Sequence, residues 1–320
     1  MLCILPGTSD PFFCLAAEEF LLKTYSEDIF MLWQSHDTVV VGKHQNAMAE
    51  IDYRYVRENG IRLARRISGG GTVFHDKGNI NFTFIKNVAG PHEISFKRFT
   101  QPIVDVLSGM GIPAETSGRN DLLVAGKKIS GNAEHVYKNR VLHHGTLLYH
   151  SNLKNLGRAI RVTPGKYTGK AVQSNRSVVD NITGYLMEPL TTEDFINRIL
   201  MEQLKKSPDN RVHSLTATET EHIRNLSKEK FETWEWQFGY SPAYKFKNHV
   251  TVKQGTLIIQ AEFEKGRFTL VNMEGNCFSG REISIIQEVL TGLPHVYESV
   301  EKAYLEAGIH ISDELIYAWF

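Results

Sequence analysis

The order of strand-like and helix-like segments constrains the fold of this chain more than any other feature of its sequence. The run IFMLW at residues 29–33 is rich in the β-branched and aromatic residues that suit a pleated sheet. Residues 79–85 alternate apolar and polar side chains, which predicts a half-buried strand. Helical spacing of apolar residues follows Asp10-Pro11 and returns over residues 191–206. Because the two kinds of segment do not alternate regularly, the sequence predicts a mixed α+β fold rather than successive βαβ units.

The length of the chain predicts more than one domain. About 150 residues per domain is usual, so 320 residues indicate two. An aromatic-rich stretch ends near residues 241–247 and the composition then changes, which makes this the candidate boundary. Beyond it, residues 249–272 predict a small meander of strands with turns at Gly255 and Gly266, and residues 282–320 predict helices.

The charge balance excludes several classes of protein. The chain has 36 Lys and Arg residues and 36 Asp and Glu residues, whereas proteins that coat nucleic acid or anionic membranes need a cationic surplus.

The cysteines and the apolar segments indicate the compartment. Cys3, Cys14 and Cys277 form no CxxC pair, which suits a reducing compartment and argues against structural zinc. The N-terminus does not resemble a signal peptide, and no stretch of about 18 uncharged apolar residues is present. We therefore expect a soluble, cytoplasmic protein with no nucleic-acid or membrane partner.

The densest chemical signal is the segment RRISGGGTVFHD at residues 65–76. Three consecutive glycines, Gly69–Gly71, let the backbone adopt positive φ and bring its N–H groups close to an anion. Arg65 and Arg66 add guanidinium groups that suit phosphate or carboxylate. The pattern matches neither a P-loop nor a Rossmann fingerprint. It predicts an anion-binding loop between two strands, and a flexible hairpin turn is the alternative.

Oxygen donors and lysines follow in a second segment. Asn120 and Asp121 carry the kind of oxygen ligands that Mg²⁺ takes together with substrate phosphates. Lys127 and Lys128 are neighbours in a β-rich run, so they point to opposite faces and only one of them can enter a site. The residues alone leave open which lysine that is.

Two adjacent histidines occupy a further β-rich run. Residues 121–135 and 141–150 flank a polar turn and predict a hairpin, with His143 and His144 in its second strand. Adjacent residues in a strand point apart, so the two imidazoles cannot chelate one metal ion. A structural role, or a role in the wall of the substrate site, is favoured over that of a catalytic base.

A phosphate cradle, a Mg²⁺ donor pair and a cationic strand residue together predict transfer of a nucleotidyl group to an acid.

These segments, taken in order, resemble the lipoate–protein ligase A family. The main blocks are residues 65–76 with Gly78-Asn79, GRNDL at 118–122, KISGNA at 128–133 and HHGTLL at 143–148. The resemblance extends over nearly the whole chain, through TVVVG at 38–42 with Gln45-Asn46, SNRS at 174–177 and TWEWQFG at 233–239. One glycine triplet is weak evidence, but the ordered set is specific.

The resemblance implies an α+β (α/β) fold of two domains. Residues 1–245 would form a large catalytic domain of the biotin/lipoate ligase type, with a mixed β-sheet and flanking helices. Residues 246–320 would form a small C-terminal α/β accessory domain. In this family the accessory domain is thought to rearrange between half-reactions, so residues 244–248 are the expected hinge. A static stabilising cap is the alternative.

The resemblance also implies an ATP- and Mg²⁺-dependent ligase. The carboxylate of lipoate, or of octanoate, would attack the α-phosphate of ATP and give lipoyl-AMP and pyrophosphate. A lysine ε-amino group on a carrier would then take the lipoyl group as an amide, in a lipoate salvage pathway. The implied carriers are apo lipoyl domains of 2-oxoacid dehydrogenase E2 subunits and the glycine cleavage H protein, and the enzyme would be a monomer.

Positions that match the family's motifs receive roles from the resemblance. Lys128 would be the catalytic lysine, touching both the lipoyl carboxyl group and the α-phosphate. The nucleotide would be held by Arg66, Gly71, Thr72, Val73, Phe74 and Lys128. Lipoate would be held by Arg65, Gly70, His75, Lys128 and His144, and the metal by Asn120 and Asp121. Two departures from the family pattern are Asn132, where several relatives carry serine, and a short loop between Glu134 and Leu142.

Other functions compete with the ligase. An ATP-independent octanoyl or lipoyl transferase of the same fold works through a cysteine thiolate, and no cysteine lies between Cys14 and Cys277. A biotin ligase carries an Arg-rich glycine loop of a different pattern. A non-catalytic lipoate-binding protein would not need Lys128, Arg66 and Asp121. The ligase is therefore favoured.

Overall fold

The computed structural model of the protein describes residues 1–90, 93–118, 120–161, 163–175, 177–253, 255–310 and 312–320. Two residues of the motifs named above, Arg119 and Arg176, lie outside these ranges. The chain forms two compact units. Unit 1 consists of Met1–Lys43, Arg62–Gly157 and Ser174–Thr233, and unit 2 consists of His44–Ile61, Arg158–Gln173 and Trp234–Phe320. The division into domains at residues 245 and 246 stays a prediction.

Strands and helices of both units confirm the α+β class. The strands are β1 (Leu2–Ile4), β2 (Ile29–Trp33), β3 (Thr38–Val41), β4 (Arg62–Arg65), β5 (Val73–His75), β6 (Asn79–Asn87), β7 (Glu115–Thr116), β8 (Asp121–Val124), β9 (Lys127–Tyr137), β10 (Arg140–Leu148), β11 (Tyr167–Gly169), β12 (Arg211–Val212), β13 (Tyr244–Val252), β14 (Gly255–Glu264) and β15 (Arg267–Gly275). The α-helices are α1 (Pro11–Thr24), α2 (Ala47–Glu50), α3 (Tyr53–Glu58), α4 (Phe96–Gly109), α5 (Leu153–Ala159), α6 (Thr192–Lys205), α7 (Ala217–Leu226), α8 (Gly280–Leu290), α9 (Tyr297–Glu306) and α10 (Asp313–Tyr317). Short 3₁₀ or π-helical turns lie at Ile182–Tyr185, Ser227–Phe231 and Glu235–Gly239.

Two of the helices begin where their capping residues predict. The Asp10 side chain accepts a hydrogen bond from the Phe12 N–H at the start of α1, and Pro11 occupies the first turn. The Thr191 side chain likewise accepts from the Asp194 N–H and starts α6. Within the described residues, no helix is both long and apolar enough to cross a membrane.

Unit 1 is built around an eight-stranded sheet in the order β12-β1-β2-β6-β10-β9-β8-β7. The pairs β12–β1 and β1–β2 are parallel, and the other pairs are antiparallel. Apolar side chains of β6, such as Phe82 and Phe84, share a core with Phe99 of α4 and Phe195 of α6. A second sheet, in the order β4-β3-β5, carries the glycine-rich segment between β4 and β5.

The polar face of β6 corrects a prediction from the sequence. Alternation predicts a half-buried strand, but every residue from Asn79 to Ile85 is buried. The reason is that α1 provides polar partners for this face, since the Thr83 hydroxyl donates to the buried carboxylate of Glu18 at 2.5 Å. The sheet therefore has an internal polar face, on which the candidate site described below is built.

The β-rich run at residues 121–135 is two strands rather than the one that the sequence predicts. Ala125 and Gly126 adopt positive φ values of 49° and 74°, which turns the chain between β8 and β9. The predicted hairpin with residues 141–150 is confirmed, because β9 pairs antiparallel with β10. The extra turn places β8 beside β9, with Asp121 paired in register with Gly131.

Unit 2 contains a four-stranded antiparallel sheet in the order β11-β13-β14-β15. The predicted meander is confirmed, although its first strand begins earlier, at Tyr244. Helices α8, α9 and α10 confirm the predicted helical segment and share an apolar core with the sheet that includes Phe246, Phe263, Ile286 and Trp319. A capping box between Ser279 and Glu282 starts α8.

Candidate active site

The glycine-rich loop of unit 1 runs between β4 and β5 and is shaped by one buried arginine. The Arg66 Nη2 group donates to the carbonyl oxygens of Gly69 and Gly71, both at 2.6 Å, and Nη1 donates to Val40 O at 3.2 Å. Gly70 between them adopts φ of 87°, a conformation that other residues rarely tolerate. Arg66 therefore fixes the path of the loop through hydrogen bonds to its backbone.

A second glycine, distant in sequence, allows this loop to lie close to the sheet. A Cβ atom at Gly42 would overlap the Gly70 carbonyl oxygen and would lie 3.2 Å from Arg66 Nη2. The neighbouring Arg65 is fully buried and donates from Nη1 to Gly42 O and Lys43 O, at 2.9 and 3.1 Å. The segment after β3 and the glycine loop are thus held together by backbone contacts that leave no room for a side chain at residue 42.

A buried polar network anchors the loop to the main sheet. His144 Nε2 lies 2.6 Å from the Ser68 hydroxyl, and His144 Nδ1 lies 2.9 Å from the Glu18 carboxylate. Ser68 Oγ accepts from Arg66 Nε at 3.0 Å, so its own hydrogen is available to His144 Nε2, and His144 then donates from Nδ1 to Glu18. The order Ser–His–Glu is that of hydrolase triads, but the Ser68 hydroxyl is buried and already makes hydrogen bonds to both Arg66 and His144. The network serves to position the loop.

The two lysines of β9 have different partners. Lys128 Nζ lies 2.9 Å from the Asp121 carboxylate, and both side chains are about one quarter exposed, at 22% and 24%. Lys127 Nζ instead lies 2.8 Å from Asp180 and is half exposed. The structure thus gives Lys128, and not Lys127, the carboxylate neighbour from the motif at residues 118–122.

The segment after Gln173 contacts both motifs. The Ser174 hydroxyl accepts a hydrogen bond from the Thr72 N–H at 2.8 Å. Further along, the Lys128 N–H donates to Val178 O at 2.9 Å, and the Asp180 N–H donates to Lys128 O at 3.0 Å. Ser174 therefore lies against the glycine loop, and Val178 and Asp180 lie against β9.

Asn132 ties the candidate metal ligands to the sheet. Its N–H and its side-chain amide both donate to Asn120 O, at 3.0 and 2.9 Å, and the Asn120 amide donates back to Asn132 O at 3.2 Å. Asn132 Oδ1 in turn lies 3.2 Å from Nε2 of the buried His143. Burial lowers the pKa of His143, and the nearby Glu134 carboxylate opposes this shift. Asn132 thus sets the position of Asn120.

The oxygen donors around Asp121 suit a magnesium ion that is also coordinated by the phosphates of a nucleotide. They are one carboxylate, from Asp121, and the side-chain amide of Asn120. In the described part of the chain, no group of three or more His, Cys, Asp or Glu side chains could hold a metal ion. Mg²⁺ commonly takes one or two protein oxygens and fills its octahedron with phosphates and water. The residues present fit that arrangement and not an all-protein cage.

Unpartnered polar atoms mark a second part of the site. Burial, with smaller contributions from Arg66 and His144, lowers the pKa of His75 to about 3, so its imidazole is neutral. His75 Nδ1, Trp33 Nε1 and Asn81 Nδ2 are buried and have no hydrogen-bond partner among the residues that the structure describes. The rings of Trp33 and His75 are 5.4 Å apart, and Trp33 is paired in register with Asn81. Buried donors and acceptors cost free energy unless something binds them, which points to a ligand group here.

Most residues predicted from the sequence come together in unit 1. Arg66, Gly70, Gly71, Thr72 and His144 meet in the glycine loop and its network. Asp121 of β8, Asn120 directly before it and Lys128 of β9 form a second group. The loop and β9 meet where a Cβ on Gly70 would lie 3.6 Å from the Ala133 Cβ. Other side chains are less reachable, because Arg65 and Phe74 are buried and Val73 is half-buried.

Comparisons with known proteins bear on this site. The model of the lipoyl protein ligase A/B catalytic domain family matches residues 10–204, and that of the bacterial lipoate protein ligase C-terminus matches residues 241–315. Lipoate–protein ligase 1 of Staphylococcus aureus (strain Mu50) is 35% identical over 304 residues, which cover 94% of this chain and 92% of that protein.

Two solved structures of lipoate–protein ligases each match about three quarters of the chain. One is the bipartite lipoate protein ligase of Thermoplasma acidophilum, solved in a study of that ligase and its E2 lipoyl domain. It has a TM-score of 0.65 and 25% identity, and the match covers 75% of this chain and 96% of that one. Another is a lipoate–protein ligase A bound with ATP, with a TM-score of 0.64 and 25% identity, covering 75% of this chain and all of that one.

Proposed function

The chain belongs to the lipoate–protein ligase family, and from this premise we propose that it adenylates lipoate with ATP and passes the lipoyl group to a lysine of a carrier domain. It is an enzyme of the ligase class. The observation that supports the proposal most directly is the partly exposed Lys128–Asp121 pair on β8 and β9, next to a glycine loop whose path is fixed by Arg66.

The first half-reaction brings a carboxylate against a phosphate. Two anions repel, so a cation must be in place where the lipoate oxygen meets the α-phosphate. Lys128 supplies a compact charge on a strand, and its pairing with Asp121 keeps the ammonium group oriented until substrates arrive. The backbone of Gly71 and Thr72, with Val73 and Phe74 following in β5, would form the wall of a nucleotide cradle whose path Arg66 fixes.

Magnesium belongs to the same proposal. Asp121, with Asn120 beside it, would hold a Mg²⁺ ion that arrives on the ATP phosphates and neutralises part of their charge. The bound metal would supply positive charge beside that of Lys128. The hydrogen bonds between Asn132 and Asn120 hold Asn120 next to Asp121.

The lipoyl group would occupy the internal polar face beside the loop. Arg65, Gly70, His75 and His144 would border the lipoyl group, and the neutral His75 suits a site for an uncharged acyl chain. Octanoate, which lacks the dithiolane ring, is the alternative acyl chain. Lys128 stands at the carboxyl end, shared between acyl chain and nucleotide.

The proposal also covers the proteins that accept the lipoyl group and the domain organisation of the enzyme. The acceptors would be apo lipoyl domains of 2-oxoacid dehydrogenase E2 subunits and the glycine cleavage H protein, in lipoate salvage. The enzyme would act as a cytoplasmic monomer, with residues 1–245 as catalytic domain and 246–320 as accessory domain. The two family models, at residues 10–204 and 241–315, support this division.

The cysteines argue against a thiol-dependent transferase. In the described residues all three are free, and burial raises the pKa of Cys14 well above its usual range. Burial also raises the pKa of Cys3 and of Cys277. A nucleophilic cysteine needs the opposite shift, because the thiolate is the reactive species.

Pyrophosphate release tests the proposed function. The protein is mixed with ATP, Mg²⁺ and either lipoate, octanoate or biotin, without carrier. We expect release that requires lipoate or octanoate, and lipoyl-AMP in the mass spectrum of the lipoate reaction. Absence of release with every acid, also after addition of an apo lipoyl domain, would overturn the proposal.

Replacing Arg66 tests the nucleotide cradle. Arg66→Ala removes the donors to the Gly69, Gly71 and Val40 carbonyl groups, so we expect the KM for ATP to rise by about tenfold or more, since each lost hydrogen bond to a charged group is costly. Arg66→Lys should not restore it, because lysine lacks the planar fork. Arg62→Ala, which removes an exposed arginine three residues before the end of β4, serves as the control. An unchanged KM for ATP in Arg66→Ala would contradict the role.

A further inference from the structure

One stretch of the chain has cations and no anions. Between Glu134 and Asp180 the sequence contains no Asp or Glu, although the whole protein carries as many acidic as basic residues. The same stretch carries Lys and Arg at positions 138, 140, 154, 158, 161, 166, 170 and 176. Charge is therefore segregated locally in a chain whose net charge is zero.

In unit 2 this stretch presents three cations that have no carboxylate partner among the described residues. Arg158 lies in the last turn of α5, Arg161 follows that helix, and Lys170 follows directly after β11, which is one edge strand of the sheet. All three side chains are exposed, and no carboxylate of the described residues lies within 4.0 Å of them. By contrast, the arginines of the neighbouring α3 are paired, Arg54 with Glu58 and Arg57 with Glu298. We call these three exposed side chains of the segment 158–170, namely Arg158, Arg161 and Lys170, the basic surface of unit 2.

An apolar side chain belongs to the same segment. Val172 is 48% exposed, while its N–H donates to His44 O at 3.3 Å and so holds the backbone in place. An exposed apolar residue among exposed cations is typical of protein interfaces, in which apolar contacts are rimmed by charges. A small-anion pocket is built differently, from converging backbone N–H groups and buried arginine, as in the glycine loop of unit 1.

We propose that the basic surface of unit 2 binds an acidic face of the carrier domain that receives the lipoyl group. The inference rests on the proposed function, because it names the recognition surface for the acceptor of the second half-reaction. Exposed charges of one sign raise the rate of encounter with a partner of opposite charge and have a smaller effect on the chemistry that follows. The basic surface therefore acts on carrier binding and not on adenylation.

The test separates the two half-reactions. In the triple variant Arg158→Gln, Arg161→Gln, Lys170→Gln, the KM for an apo E2 lipoyl domain should rise by about tenfold at low ionic strength, with kcat unchanged. Added salt should raise the KM of the wild type toward that of the variant. Pyrophosphate release with lipoate and ATP, measured without carrier, should stay at the wild-type rate.

A matched control removes the same number of exposed charges elsewhere. The variant Lys97→Gln, Lys253→Gln, Arg281→Gln should keep the wild-type KM for the carrier, since none of these side chains belongs to the basic surface. Changing the surface carboxylates of the carrier to amides should raise its KM with the wild-type enzyme. The same change should leave its KM with the triple variant unaltered.

Three results would overturn the inference. The first is a carrier KM in the triple variant equal to that of the control variant. The second is a fall in carrier-independent pyrophosphate release, which would assign the cations to the nucleotide. The third is loss of affinity for a single-stranded 20-mer DNA with unchanged carrier KM, which would assign them to nucleic acid. Failure of the proposed function looks different, because the wild type would then release no pyrophosphate with lipoate.

Discussion

Lys128→Ala lowers the rate of lipoate-dependent pyrophosphate release by about 10²–10³-fold while the protein stays folded. This magnitude is typical when one preorganised charge at the reacting atoms is removed. The side chain is about one quarter exposed and contacts Asp121 in a polar setting, so its truncation leaves no cavity in the apolar core. The measurement is pyrophosphate release without carrier, together with the thermal unfolding midpoint.

Lys127→Ala is the matched control for this variant. The two lysines are neighbours on β9, but Lys127 is exposed on the other face and pairs with Asp180. We expect its pyrophosphate release to remain within about twofold of wild type, because exposed ion pairs contribute little. Equal rates in the two variants, or normal lipoyl-AMP production by a folded Lys128→Ala protein, would show that the lysine is not the catalytic one.

Elements with a strong local pattern could be predicted from the sequence. The start of α1 at Asp10 and of α6 at Thr191 follows from capping residues that satisfy the first free N–H groups of a helix. The strand β2 follows from a run of β-branched and aromatic residues. In each case the local preference and the tertiary environment favour the same structure, so that the sequence pattern is sufficient.

Burial of polar residues could not be predicted in this way. The alternation in β6 is the same whether its polar face meets water or the carboxylate of Glu18. Glu18 itself lies in an apolar helix that is buried on most sides, so no amphipathic pattern marks it as a partner of Thr83. Only the packing of α1 on the sheet reveals that this face is internal.

In the candidate site, too, some residues could be predicted from the sequence and others could not. Its motif residues are close in sequence, and their spacing was enough to group Gly69–Gly71 and the Asn120-Asp121 pair. Their supporting partners come from distant segments, since Glu18 is 126 residues from His144 and Ser174 is 102 residues from Thr72. Ser68 lies within a motif, but its hydrogen bond to His144 spans 76 residues. Contacts of this range leave no signal in the spacing of one sequence.

Gly42→Ala abolishes most of the activity although residue 42 lies outside the glycine triplet. The new Cβ would overlap the Gly70 carbonyl oxygen and crowd Arg66 Nη2, so the loop must shift by a sizeable fraction of an ångström or more. Misplacement of reacting groups on the order of 1 Å costs about 10²-fold in rate, and we expect a loss of that size in pyrophosphate release. Overpacking also costs about 1–3 kcal/mol of stability, which a denaturant titration measures.

Gly69→Ala provides the contrast that makes this prediction specific. Gly69 belongs to the triplet, but a Cβ there would meet no atom within 4 Å, and its φ is not positive. We therefore expect Gly69→Ala to retain pyrophosphate release within about twofold of wild type, because an alanine in open space strains nothing. If Gly69→Ala were the damaging variant and Gly42→Ala the tolerated one, the N–H groups of the triplet would matter through their flexibility. The close approach of the two backbones at Gly42 would then have no part in forming the site.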